Sequence, residues 1–251
     1  LIGFWYQVDA NASAGKKALV VSGEESEEQV RLRASRIGPI PEGLLIFCET
    51  DLEAMMEAAF DVDGKRKWVR YFDVPQITEF GRSASPVLAG GKVVVSLGGL
   101  IALDAATGKT AWECKQALPG YGTPAVTTIG GAQVLITPNG DAVRLADGKV
   151  LASKLAQVKY SSPVVHAGVV YFADSPAVAL RLPTEAGETL KITKLWDNDD
   201  LEGEFFASPL WHDGLLYIVS NEGLLYVLDA ATGKAAFTKR LEIPSAGSPP
   251  G

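Results

Sequence analysis

Residues able to do chemistry are few in this chain, and their settings say what each is for. Its two histidines, His166 and His212, each follow a Ser-Pro proline, Pro163 or Pro209, by three residues. Each stands just before an Ala-Gly or Asp-Gly pair, and related segments carry Ala89 and Thr127 at that place. Such positions are hairpin tips, and a metal would need further ligands gathered beside them. Ser85, Ser162 and Ser208 each precede a proline, without the histidine and acid that would make any of them a nucleophile. Asp104, Asp174, Asp213 and Asp229 fall at turns, where a carboxylate bonds nearby backbone amides. Glu24 lies in Ser22-Gly23-Glu24-Glu25, a capping box in which Ser22 and Glu25 satisfy the first amides of a helix. An acid at Glu24 is favoured by the helix dipole alone.

The totals narrow the class of protein. A net charge of −7 argues against a general nucleic-acid surface, which needs a basic face. Cys48 and Cys114 lie far apart in unlike contexts and imply no disulfide framework. No apolar run is long enough to span a membrane as a helix. The opening LIGFWYQV lacks the charged lead of a signal peptide, and the natural start is expected upstream.

The elements that position these residues are repeats. Residues 102–112 read ALDAATGKTAW, and residues 227–237 read VLDAATGKAAF. A shortened copy, FDVDGKRKW, covers residues 60–68. Each predicts strand, tight turn, strand. Gly108 and Gly233 supply the turn's backbone freedom, while Asp104 with Thr107 and Asp229 with Thr232 supply its side-chain bonds. Trp68, Trp112 and Phe237 are large apolar groups at equivalent ends, suited to anchoring stacked repeats. Ser/Thr-Pro pairs mark repeat starts near 85, 123, 162, 208 and 248, with prolines at 86, 124, 163, 209 and 249. Subtraction gives spacings of 38, 39, 46 and 40 residues, the period of propeller blades built from several short strands. The longer third repeat places its extra residues around LPTEAGETLKITKLWDNDD, read as a loop or lengthened hairpin.

Residues 1–59 follow another pattern. Ala18–Val21 and Leu44–Phe47 read as strands of a parallel sheet, each followed by a capped helix. The second helix opens at the Thr50–Glu53 capping box and shows Leu52, Met55, Met56 and Ala59 on one face.

Two resemblances sharpen this. Residues 15–59, with the strings VSGEES and ETDLEA, resemble the RadA/Sms DNA-repair ATPases, a RecA-like family. That resemblance would put Glu24 where the family's water-polarising glutamate stands. A G-x-x-x-x-G-K-[ST] loop is missing, and the segment ends before a Walker B strand, so ATP binding is not expected. Residues 60–251 resemble the pyrrolo-quinoline-quinone-like β-propeller repeats, whose tryptophan-docking motif is met in full at 102–112. That resemblance implies a mainly β chain: a partial, open propeller of about four blades, preceded by a small α/β (βαβα) RecA-like piece. It implies a non-catalytic scaffold that meets a protein partner through its loops, as in the family's outer-membrane assembly propellers, with self-association through open blade edges. The alternative it implies is a fragment of a quinone-dependent dehydrogenase. Those enzymes carry an adjacent-cysteine pair on the cofactor, and this chain has no Cys-Cys, so neither a quinone nor a metal is expected. The propeller implies an extracytoplasmic site; the RadA-like part implies a cytoplasmic one.

Overall fold

The computed structural model describes residues 18–22, 44–48, 56–60, 66–72, 83–118 and 120–242. Its backbone forms two compact units, residues 1–74 with 106–108, and residues 75–105 with 109–251.

In the first unit, β1 (Ala18–Ser22) pairs in parallel with β2 (Leu44–Cys48), from Ala18 opposite Leu44 to Ser22 opposite Cys48. These are the two strands read from the sequence. The helices expected to follow them begin outside the described residues, as does Glu24. One expectation is corrected here. Met56–Ala59, read as the end of the second helix, belongs with Phe60 to strand β3 (Met56–Phe60), which pairs antiparallel with β4 (Arg66–Tyr71). A helix of about ten residues is marginal on its own. The antiparallel register instead sets this segment beside the strand that carries Trp68, with Ala59 opposite Trp68.

The second unit contains four four-stranded sheets, each an antiparallel meander in chain order. The first sheet runs β5 (Val87–Ala89), β6 (Lys92–Ser96), β7 (Leu100–Asp104) and β8 (Thr110–Cys114). The second runs β9 (Ala125–Ile129), β10 (Ala132–Ile136), β11 (Ala142–Arg144) and β12 (Val150–Ala152). The third comprises β13 (Val164–His166), β14 (Val169–Phe172), β15 (Ala177–Arg181) and β16 (Thr193–Asn198). The fourth comprises β17 (Leu210–His212), β18 (Leu215–Val219), β19 (Leu224–Asp229) and β20 (Ala235–Arg240). Each begins two residues after a predicted repeat start. The fifth start, at Ser248, lies outside the described residues.

Core residues lie between consecutive sheets, so each inner sheet is apolar on both faces. In β10, Leu135 packs toward the first sheet with Val94, Leu100 and Ala102. Its neighbours Val134 and Ile136 pack toward the third with Val170 and Phe172. In β14, Tyr171 turns the other way, onto Leu216 and Ile218 of the fourth sheet. Alternation along a strand sends successive side chains to opposite faces, which is why the runs VLI and VVYF carry no polar residue. Full burial of each such side chain contributes about 1.5–3 kcal/mol. The outer faces differ. Leu88 on the first sheet is 73% exposed, and Leu210 and Phe237 on the fourth are 59% and 49% exposed.

Candidate functional site

The repeat motif resolves into one construction used several times. Trp112 stands opposite Ala102, Trp196 opposite Ala179, Phe237 opposite Val227, and Trp68 opposite Ala59. Beside each of these pairs the ring-bearing strand carries a β-bulge, its extra residue being the one just before the ring: Ala111, Leu195, Ala236 and Lys67. The extra residue twists the strand locally and aims the ring past the sheet edge. The Trp112 ring lies on Gly148 of the second sheet, where an added Cβ would stand 2.6 Å from it. Its Nε1 donates to Leu145 O at 2.9 Å. Trp196, 8% exposed, lies on Gly233 in the same way, and its Nε1 donates to Ala230 O at 3.0 Å. In the first unit Trp68 lies on Gly108, again 2.6 Å from a built Cβ. Gly108, Gly148 and Gly233 all have positive φ, so they serve the turn and the ring contact together. Phe237 occupies the same place on the last described sheet and is exposed.

Each turn beneath a ring is closed by a backbone bond: Asp104 N–H to Lys109 O, Arg144 N–H to Lys149 O, and Asp229 N–H to Lys234 O, all 2.8 Å. Asp229 Oδ1 accepts from Thr232 N and Thr232 Oγ1 at 2.8 Å each and from Ala231 N at 3.1 Å. The Thr232 hydroxyl, then its amide, hold this carboxyl below its ordinary range. Thr107 is exposed beside Gly108. In the second sheet the pair is exchanged. Arg144 stands where Asp104 would, and Asp147 where Thr107 would. Arg144 Nε and Nη2 donate to Asp147 at 2.9 and 2.5 Å. That guanidinium pulls the Asp147 carboxyl down to about 2.

Two features escaped the sequence reading. Trp196 is a third docked indole, hidden because the lengthened third repeat moves it far from its turn; that stretch is strand β16, not only loop. The second sheet has Ala152 opposite Ala142, where an indole would stand. Part of the third repeat's extra length covers that place. Leu190, buried among Leu151 and Leu182, donates its N–H to Leu151 O at 3.0 Å, and Glu188 pairs with Lys149. A period of forty residues carries no sign that one repeat's insertion fills its neighbour's gap.

The second feature is a relay of hydroxyls at the Ser/Thr-Pro pairs. Ser85 N–H donates to Thr123 Oγ1 at 2.8 Å, Thr123 N–H to Ser162 Oγ at 2.8 Å, and Ser162 N–H to Ser208 Oγ at 3.0 Å. These side chains are spent on joining first strands. His166 is stacked on Trp211, ring centroids 3.3 Å apart, and His212 Nε2 lies 3.3 Å from Asp213 Oδ2. Asp174 accepts from Lys159 N–H at 2.7 Å. Cys114 is a buried free thiol. Asn198 Nδ2 donates to Gly233 O at 2.7 Å and belongs to the sheet junction rather than to a free loop.

The loops entering each sheet share one end of the second unit with its β6–β7-type turns. Asn139 Nδ2 donates to Leu118 O at 3.1 Å, and Asn221 N–H to Glu204 O at 2.7 Å. On these loops Tyr121, Tyr160 and Phe206 form a row, with centroid separations of 5.4 and 4.5 Å. The Lys159 ammonium sits 4.7 Å from the Tyr160 ring and 3.2 Å from Glu204 Oε1. Tyr160, and then Glu204, hold it above its ordinary range.

Four-stranded meanders stacked in series and locked ring-on-glycine define a protein of the β-propeller repeat class. The family model for outer membrane protein assembly factor BamB matches residues 12–193, and the chain belongs to that family. BamB of Yersinia pestis is 25% identical over 208 residues, covering 77% of this chain and 50% of the relative. The chain thus spans about half the length of that relative. DNA repair protein RadA of Aquifex aeolicus (strain VF5) is 45% identical over 51 residues, 20% of this chain and 12% of the relative. Among solved structures, BamB from Moraxella catarrhalis matches with TM-score 0.52 at 20% identity, over 76% of this chain and 62% of its own. Quinohemoprotein alcohol dehydrogenase from Comamonas testosteroni gives TM-score 0.52 at 18% identity, over 74% of this chain and 40% of its own. At such identities the structural likenesses speak to fold alone.

Proposed function

We propose that this chain is a non-catalytic propeller scaffold that holds a protein partner during outer-membrane protein assembly. The observation that carries the reading is how its polar motif residues are used. Asp229 with Thr232, Arg144 with Asp147, and the hydroxyls of Thr123, Ser162 and Ser208 are engaged in turns and sheet junctions. What the second unit offers outward is its loops. Membership of the BamB family supports the assembly role and an extracytoplasmic location.

In this reading residues 60–251 carry the function as docked repeats, with Trp68, Trp112 and Phe237 as docking groups. Residues 1–59 are an inactive RadA-like piece without ATPase activity, and Glu24 has no catalytic part. The chain takes no quinone, metal or nucleic acid, and its exposed outer faces, with Leu210 and Phe237, favour self-association.

The enzyme alternative is tested by incubating the protein with pyrroloquinoline quinone and Ca²⁺, followed by gel filtration. The scaffold reading expects the quinone to elute free and no dye reduction on alcohols or sugars. Retained quinone absorbance with substrate-dependent dye reduction overturns it. Mg²⁺-dependent ATP hydrolysis lost on Glu24→Gln would overturn the assignment of residues 1–59.

A further inference from the structure

We propose that the row Tyr121–Tyr160–Phe206 is a docking strip for an arginine-bearing segment of a protein partner, a proposal that rests on the scaffold reading. The three rings occupy one slot, three residues before Pro124, Pro163 and Pro209, so the sheets' own stacking brings them into line.

Packing does not account for the last ring. Phe205 is 1% exposed and packs in the core between the third and fourth sheets, with Tyr226 at 6.3 Å. Phe206, the next residue, points the other way and is 54% exposed. Core filling at this place is met by one of the two rings, and the second is left on the surface at the end of an aromatic row.

Charge selects the occupant. The segment leading to Phe206 carries Asp199, Asp200, Glu202 and Glu204, all exposed. Glu204 is held from both sides of its peptide, its N–H donating to Asn221 Oδ1 at 3.0 Å and its carbonyl accepting from Asn221 N–H at 2.7 Å. Lys159 already shows the mode of binding within the chain, its ammonium over Tyr160 and paired to Glu204. A guanidinium suits such a place better. It stacks flat on a ring while forking its N–H groups to a carboxylate, and it is less strongly hydrated than an ammonium. An incoming guanidinium takes the place of the Lys159 ammonium at Tyr160 and Glu204, while Asp199, Asp200 and Glu202 disfavour an acidic segment.

The test uses the full chain and a fluorescein-labelled dodecapeptide alternating arginine and valine, read by fluorescence anisotropy. Binding that weakens with salt is expected, together with no binding of the same peptide carrying glutamate for arginine. Phe206→Ser should weaken binding about tenfold with the thermal midpoint retained, the loss of one stacked cation in free-energy terms. Glu204→Gln should weaken binding more than Asp213→Asn, which removes the same charge at the hairpin of His212. Equal effects of those two, or an unaltered affinity in Phe206→Ser, would mean attraction by net charge only and would overturn the strip. Absence of peptide binding alongside a partner captured elsewhere on the loops overturns the strip and leaves the scaffold reading standing. Quinone turnover overturns the scaffold itself.

Discussion

Trp112 and Gly148 are made for each other across a sheet boundary: a methyl group on Gly148 would stand 2.6 Å from the indole. The indole Nε1 is bonded to Leu145 O in the same turn. Trp112→Ala should therefore cost about 3–5 kcal/mol, as truncation of a packed aromatic does. Gly148→Ala should also destabilise, because φ is +75° there as well as the space being filled. Phe237→Trp should be tolerated. Urea unfolding checks all three, and an unchanged midpoint in Trp112→Ala would remove the ring from its assigned part.

The insertion in the third repeat should matter as much as an indole. Leu190→Ala, which empties the place beside Leu151, is expected to cost about 2–5 kcal/mol. Deleting an exposed residue such as Thr184 should change little by comparison, in the same unfolding experiment.

Breaking the hydroxyl relay should have a smaller, additive effect. Thr123→Val keeps shape and removes the acceptor for Ser85 N–H. A loss of about 0.5–1.5 kcal/mol is expected, the net value of one hydrogen bond. Hydrogen exchange at the Ser85 amide should rise in that variant and stay unchanged in Ser208→Ala, whose acceptor serves Ser162 instead.

Acid should loosen the second sheet's turn first. Asp147 has a folded value of about 2, below the ordinary carboxylate value, because Arg144 bonds its ionised form. Its contribution is therefore complete above about pH 4 and lost as pH falls toward 2. Asp147→Asn should flatten that part of the stability profile. The pair is largely exposed, so the effect is small and shrinks with salt.

The repeats were legible because turn chemistry and period survive in sequence: ATGK marks the turn between the last two strands of a sheet, and the Ser/Thr-Pro pairs that open at Ser85, Thr123, Ser162 and Ser208 stand just before the sheets' first strands. What the period hid was compensation between neighbours. Ala152 lacks an indole, and the residues that replace it sit in the next repeat, where nothing in the sequence pattern ties Leu190 to Leu151. Trp196 is hidden for the same reason, since its turn and its strand are separated by the inserted loop. At Met56–Ala59 helical periodicity misled, because so short a run has little helical stability of its own and takes the strand conformation that an antiparallel partner offers. The aromatic row is written at fixed offsets from three prolines, yet only stacked sheets bring the rings together.

The exposed outer face of the fourth sheet makes a further prediction. Leu210 and Phe237 present apolar surface to solvent, and large exposed patches drive association. Sedimentation should show concentration-dependent self-association that Leu210→Lys with Phe237→Lys reduces. A monomer unaffected by those changes would mean the face is covered.

The most direct measurement of the central claim is photocrosslinking in cells from a residue on the loop end of the second unit. Placed at the exposed Glu222, the crosslinker should give an adduct with a component of the outer-membrane assembly machinery. The same group at Lys194, on an outer strand, should give none. Equal labelling from both positions, or no adduct from Glu222 in cells that depend on the protein, would contradict a scaffold that works through its loops.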